Sequence, residues 1–132
     1  MYKVGVIMSA CYAVNVELRV KDEAKVIETL QNKINRAKEE NVDYGIEEVP
    51  TTLKELLGIF FVEHQEMYNY KRVGNWYMVD SGFNASYGWE VVMIEMFKEI
   101  TPYLEDKSEL YIDIENDYDK LVIKKGKCVQ IH

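Results

Sequence analysis

The stretch YKVGVIMSACYAVNVELRV, Tyr2–Val20, places an apolar or aromatic residue at every even position: Tyr2, Val4, Val6, Met8, Ala10, Tyr12, Val14, Val16, Leu18 and Val20. A repeat of two belongs to an extended chain whose successive side chains point to opposite faces, so the stretch is predicted to be β-strand with one apolar face. A usual strand has only about five or six residues, and no Gly-Asn or Pro signal divides this run. A long strand bent or bulged near Ser9 to Cys11 is expected, with a hairpin there as the alternative.

A sheet with one apolar face needs a cover, and the following residues supply it. After Asp22, a helix-capping residue, Ile27, Leu30, Ile34 and Ala37 recur at three- and four-residue steps, which predicts an amphipathic helix to about Glu40. The linker NVDYGIEEVP leads to Thr52, which with Glu55 forms a capping box ahead of Leu53, Leu56 and Leu57 and predicts a short helix. Gly58 suits its left-handed C-terminal cap, and IFFVEH, rich in β-formers, is read as a strand, with a helix continuing through Phe61 as the alternative. Residues 66–80 read as strand, turn and strand, the turn falling near Arg72 to Asn75. The segment SGFNASYG is then a loop in which Ser86 caps a helix with Trp89, Val92, Met93, Met96, Phe97 and Ile100 along one stripe, ended by Pro102. Three more alternating runs follow: Leu110, Ile112 and Ile114, then Leu121 and Ile123, then Val129 and Ile131. They are separated at 115–117 and at Lys125-Gly126, as a three-stranded meander requires.

The order β, α, short α, β, β, α, β, β, β describes one α+β domain, an antiparallel sheet covered on one side by two main helices. The 132 residues, 48% hydrophobic, are the length of one domain that buries about two-thirds of its unfolded surface. No apolar run approaches the roughly 20 residues of a membrane span, and MYKVGVIMSA lacks the parts of a signal peptide, so a cytoplasmic location is expected. Cys11 and Cys128, far apart and outside any CxxC pair, are read as free thiols.

Charge narrows the function classes. A net charge of −7 opposes direct binding to nucleic acid or to an anionic membrane, which relies on lysine and arginine. The excess is concentrated: Glu105, Asp106, Glu109, Asp113, Glu115, Asp117 and Asp119 are seven acids against Lys107, a local −6. Asp113, Glu115, Asp117 and Asp119 have the spacing of the first half of a calcium loop, but Tyr118 and Lys124 stand where its glycine and closing glutamate belong. A hairpin face explains the run better. With Leu110, Ile112 and Ile114 toward the core, Tyr111, Asp113 and Glu115 are expected on the other face at intervals of about 6.6 Å, comparable to phosphate spacing along a nucleic-acid strand.

Chemistry-bearing residues elsewhere are sparse. Asp80, Ser81, Asn84 and Ser86 stand between a strand and a helix N-terminus, where backbone N–H groups favour an anion. Ser and Asn are also what caps and turns use, and Gly82 and Gly88 lack the spacing of a phosphate-binding loop. Ser81 is in no nucleophile elbow, and only His64 and His132 are available as histidine bases. His64 with Glu63 and Glu66 needs further ligands from elsewhere to hold a metal, so neither a metal nor a cofactor is expected.

The block FKEITPYLEDKSELYIDIENDYDKLVIKKGKCVQ, Phe97–Gln130, resembles the C-terminal part of short acidic uncharacterised proteins of Gram-positive gut bacteria and their mobile elements. In those, a helix ending in an Ile-x-Pro-Tyr-like turn leads to a small hairpin with a closing Gly-Lys. The resemblance covers about a quarter of the chain, rests on structural motifs and implies no activity. Small acidic phage-encoded inhibitors of bacterial defence, including anti-CRISPR proteins, are similar in size, charge and lack of catalytic motifs.

The expected function is therefore a non-enzymatic domain that docks a basic surface of a protein partner through Tyr111, Asp113, Glu115, Asp117, Tyr118 and Asp119. A second reading is a small-molecule or nucleotide site built from Trp76, Asp80, Asn84, Ser86 and Trp89. A third is a homo-oligomer formed through an exposed strand edge.

Overall fold

A computed structural model describes residues 9–41, 46–62 and 69–131. Tyr2, Val4, Val6 and Met8 of the opening alternation, the proposed strand positions 63–64 and 66–68, and the His64, Glu63, Glu66 and His132 candidates lie outside the described residues. The elements are β1 (Ser9–Arg19), α1 (Glu23–Glu39), α2 (Leu53–Phe61), β2 (Asn69–Val73), β3 (Trp76–Ser86), α3 (Trp89–Ile100), a 3-10 turn (Thr101–Tyr103), β4 (Glu109–Ile114), β5 (Asp117–Lys124) and β6 (Lys127–Ile131). They build the expected α+β architecture.

β1 lies inside a six-stranded antiparallel sheet of order β2-β3-β1-β4-β5-β6. Its even residues Ala10 to Leu18, and Val20 just beyond it, are all buried, as a single apolar face demands. Register with β3 runs one to one from Ser9 opposite Ser86 to Arg19 opposite Trp76. The bulge expected near Ser9 to Cys11 is therefore absent: one-to-one pairing leaves no extra residue for it.

All three helices cover one face of the sheet. Asp22 caps α1 by accepting from the Lys25 N–H, and the helix buries Val26, Leu30, Ile34 and Ala37, with Ile27 only partly covered. Thr52 accepts from the Glu55 N–H and donates its hydroxyl to the Glu55 carboxylate at 2.8 Å, so Thr52 caps α2 as expected. The strand read at IFFVEH is corrected for its described part: Ile59, Phe60 and Phe61 complete α2, and Gly58 sits inside the helix instead of ending it. Six of nine positions in α2 are buried, so tertiary packing overrides the β-propensity of Ile and Phe.

β3 also departs from expectation. The predicted loop SGFNASYG is strand as far as Ser86 because pairing with β1 continues to Ser9. Ser86 is therefore no helix cap. Gly88, at φ 100°, precedes α3 and no side chain caps it. α3 buries Met93, Met96, Phe97 and Ile100 on the expected stripe, and the chain turns over Pro102. The meander β4-β5-β6 forms as predicted, except that Cys128 and not Val129 faces the core, because Cys128 pairs with the buried Ile123.

Two polar networks bind the layers. Tyr77, buried, donates its hydroxyl to Glu23 at the start of α1, while Arg72 pairs with Glu23 at 3.3 Å and lies 4.6 Å over the Tyr77 ring. Asp106 accepts from the backbone of Lys125 and Gly126, both at 2.9 Å, which ties the loop before β4 to the β5–β6 turn. Those two amides hold the Asp106 carboxyl below its ordinary value.

Candidate partner-binding site

β4 stops at Ile114 because Glu115 and Asn116 both adopt positive φ, 50° and 79°. Two left-handed residues make the tight turn that suits twisted antiparallel strands. Pairing resumes at once, Ile114 opposite Asp117 and Asp113 opposite Tyr118, so the calcium-loop spacing is spent on a two-residue turn.

That turn divides the predicted docking residues. Tyr111, Asp113 and Tyr118 project from the sheet face away from the helices, and the Tyr111 and Tyr118 rings stack with centroids 5.6 Å apart. Asp117 and Asp119 lie opposite Ile114 and Ile112 and so belong to the helix side, at its outer end. Glu115 does not extend the row of Tyr111 and Asp113 as expected. Its left-handed backbone turns the side chain toward the junction of β3 and α3, where the Tyr87 hydroxyl donates to it at 2.7 Å.

The junction contributes a second carboxylate. Glu90, in the first turn of α3, accepts from the Gly88 N–H at 2.8 Å and lies 2.9 Å from the Tyr12 hydroxyl, which also reaches the Ser86 carbonyl at 2.8 Å. Between hairpin and junction runs a cleft of about 320 Å³, lined by Tyr87, Glu90, Glu115, Asp117, Tyr118 and Asp119 together with Ile114. Tyr87 and Glu90 were not among the predicted docking residues. Only their positions on either side of Gly88, at a strand-to-helix junction, hint at them.

The electrostatics of this cleft are one-sided. Among the described residues, no lysine or arginine forms an ion pair with Glu90, Glu115, Asp117 or Asp119. Their partners are neutral: tyrosine hydroxyls, backbone N–H groups and the Gln130 amide, 3.0 Å from Asp119. The phenols register the charge. Burial, then the Glu90 carboxylate, pushes Tyr12 up to about 12, and the hydrogen bond to Glu115 raises Tyr87. A surface of this kind attracts cations and disfavours anions.

The second predicted set does not converge. Trp76, Asp80, Asn84 and Ser86 follow one another along the open face of β3, whereas Trp89 packs on the helix side and donates its indole N–H to the Phe60 carbonyl at 3.1 Å. Ser81 alternates inward, is buried, and donates its hydroxyl to the Phe61 carbonyl at 3.0 Å. The Trp76 indole nitrogen is buried without an acceptor among the described residues, and the Arg19 guanidinium lies 4.5 Å over its ring. Both cysteines are free thiols: Cys11 is exposed, and burial raises Cys128. Among the described residues, no three His, Cys, Asp or Glu side chains gather as metal ligands.

A larger cleft, about 550 Å³, lies across α1 and the end of α3 and is lined by Glu28, Asn32, Asn35, Arg36, Glu99 and Tyr103. Its only cation among the described residues is already engaged, Arg36 pairing with Glu99 at 3.1 Å. Comparison with known proteins adds no relative: no family model, curated protein or solved structure matches the chain significantly.

Proposed function

We propose that this chain is a non-enzymatic binding domain whose acidic hairpin end docks a basic surface on a protein partner. The observation that carries the reading is the cleft in which four carboxylates, Glu90, Glu115, Asp117 and Asp119, meet neutral donors and no cation among the described residues. A lysine or arginine from a partner supplies the missing charge, and Tyr87 and Tyr118, 49% and 46% exposed, supply rigid contact area beside it. Tyr111 and Asp113 extend the surface around the hairpin edge. The long-range field steers encounter, so the association rate falls as salt rises.

The small size and net charge of −7, which the chain has in common with small acidic phage proteins that block bacterial defence systems, favour an inhibitory role in the bacterial cytoplasm. The Ser81 hydroxyl is buried and donates to a core carbonyl, which supports a binding role over one for this serine as a nucleophile. No described helix is long and apolar enough to cross a membrane.

The test is capture of a partner on the immobilised chain, followed by titration with purified components. Glu115→Lys/Asp117→Lys should weaken binding by at least about tenfold, and affinity should drop steeply between low and high salt. Binding that ignores both the reversal and the salt would overturn the reading.

A further inference from the structure

The sheet has a second face, and no described helix lies on it. Every core residue contributed by the strands comes from alternate positions on the helix side. The register fixes what the other face presents. Crossing the strands, one row runs Lys71, Met78, Glu17, Glu109, Val122 and Val129, and the next runs Asn69, Asp80, Asn15, Tyr111, Lys120 and Ile131. Outside the first row stand Trp76 and Arg19; outside the second stand Gly82, Ala13, Asp113 and Tyr118.

Two properties of this face are complementary to themselves. The first is size: Trp76 and Met78 stand at one end of β3, while Gly82, beside Ala13, leaves the other end bare. The second is charge. Arg19, Lys71 and Lys120 are interleaved with Glu17, Asp80, Glu109 and Asp113, yet among the described residues none of these seven is in an ion pair. On the helix side, by contrast, Lys33, Arg36 and Arg72 are paired with Glu95, Glu99 and Glu23.

We propose that a second copy of this chain packs face to face on this open side, about a two-fold axis that lies between the sheets and crosses the strands between the two central rows. That operation brings Trp76 over the partner's Gly82 and Met78 over the partner's Asp80. It sets Arg19 beside the partner's Asp113, Lys71 beside the partner's Asp80, and Lys120 beside the partner's Glu109, each one strand over. Packed sheets stand about 10 Å apart and adjacent strands about 4.8 Å, distances that lysine and arginine side chains span. The exposed Val129 and the half-buried Val122 and Ile131 are covered in the same step. Edge pairing is the poorer route to a dimer, because β2 presents Lys71 and Arg72 and β6 begins with Lys127, the charged residues that discourage it. The inference does not rest on the hairpin reading: Glu115 and Asp117 lie off this face and stay accessible in the dimer, whereas Tyr111, Asp113 and Tyr118 lie on it and are open to another partner only in the monomer.

Sedimentation velocity on the full chain over a concentration series tests it. Wild type should show a reversible monomer–dimer equilibrium. Lys71→Asp and Asp80→Lys should each raise the dimer dissociation constant by roughly tenfold or more, by setting like charges together. The double variant should recover the dimer, because a two-fold axis restores both pairs at once. Gly82→Phe should abolish dimerisation by blocking the place of Trp76; the monomer accepts a Cβ there, which meets only the Tyr12 carbonyl oxygen, at 3.8 Å. Circular dichroism checks folding, and if Gly82→Phe does not fold, the charge swap decides. A wild type that is monomeric at every concentration overturns the proposal. So does a dimer that single reversals leave unmoved, or one that the double reversal fails to restore.

Discussion

The two faces of the sheet are made by the same strands and obey opposite rules. On the helix side Tyr12, Val14, Val16 and Leu18 are at most 3% exposed, and the polar groups that enter, Ser81 and the Tyr77 hydroxyl, have defined partners. On the open side, one residue further along each strand, Ala13, Asp80, Gly82 and Asn84 are exposed and the charges are unpaired among the described residues. Folding free energy comes from the first face, where apolar area leaves water and hydrogen bonds are completed. The second face contributes little to folding and is therefore free to serve association.

Substitutions matched across the sheet test this division. The largest effect should come from Phe60→Ala, which empties a fully buried position in α2: about 3–5 kcal/mol lost in urea unfolding, against less than about 1.5 kcal/mol for Tyr111→Ala on the open face. The serines of β3 give a closer comparison. Ser81→Ala leaves the Phe61 carbonyl unpaired in the core and should cost about 1–3 kcal/mol, whereas Ser86→Ala should stay within about 0.5 kcal/mol. A cost near 1 kcal/mol at Ser86 would restore its role as a helix cap.

The third test is pH. Tyr12, raised from 10.0 to about 12, ionises in the unfolded chain before it does so in the folded one. Its contribution is complete below pH 10 and is lost as pH rises toward 12. Tyr12→Phe should lower stability at neutral pH by about 1 kcal/mol and flatten that alkaline loss in chemical denaturation. The smallest effect belongs to the exposed Asp106, whose carboxyl is lowered by two backbone amides. Its stabilisation is present above the ordinary carboxyl value and disappears as pH falls through the depressed one, so Asp106→Asn should reduce the acid dependence of unfolding.

How much of this was legible beforehand depends on whether the signal was local. The alternation of β1, the Asp22 and Thr52 caps and the α3 stripe were readable because each lies within a few residues of chain and follows one geometric period. Ile59, Phe60 and Phe61 misled because β-propensity is weak and six buried positions in α2 outweighed it. The loop read at residues 81–88 misled for the opposite reason: Ser, Gly and Asn are turn formers in isolation, but β1 offers a partner to each of positions 81–86. For the candidate site, the hairpin acids could be picked out from charge density alone. Their division between two surfaces could not.

The amino-acid sequence by itself determined most of the element types, the inward and outward faces of β1, β4 and β5, and the placing of most of the negative excess near one hairpin, since all three follow from neighbouring residues. Only the tertiary structure decided that β1 sits between β3 and β4, and hence that Asp80 and Asp113 share an open face. It also decided that Tyr87 and Glu90 meet Glu115, Asp117 and Asp119 around one cleft. Strand order and helix docking are settled by which apolar faces bury one another across tens of residues, and no local period encodes that choice.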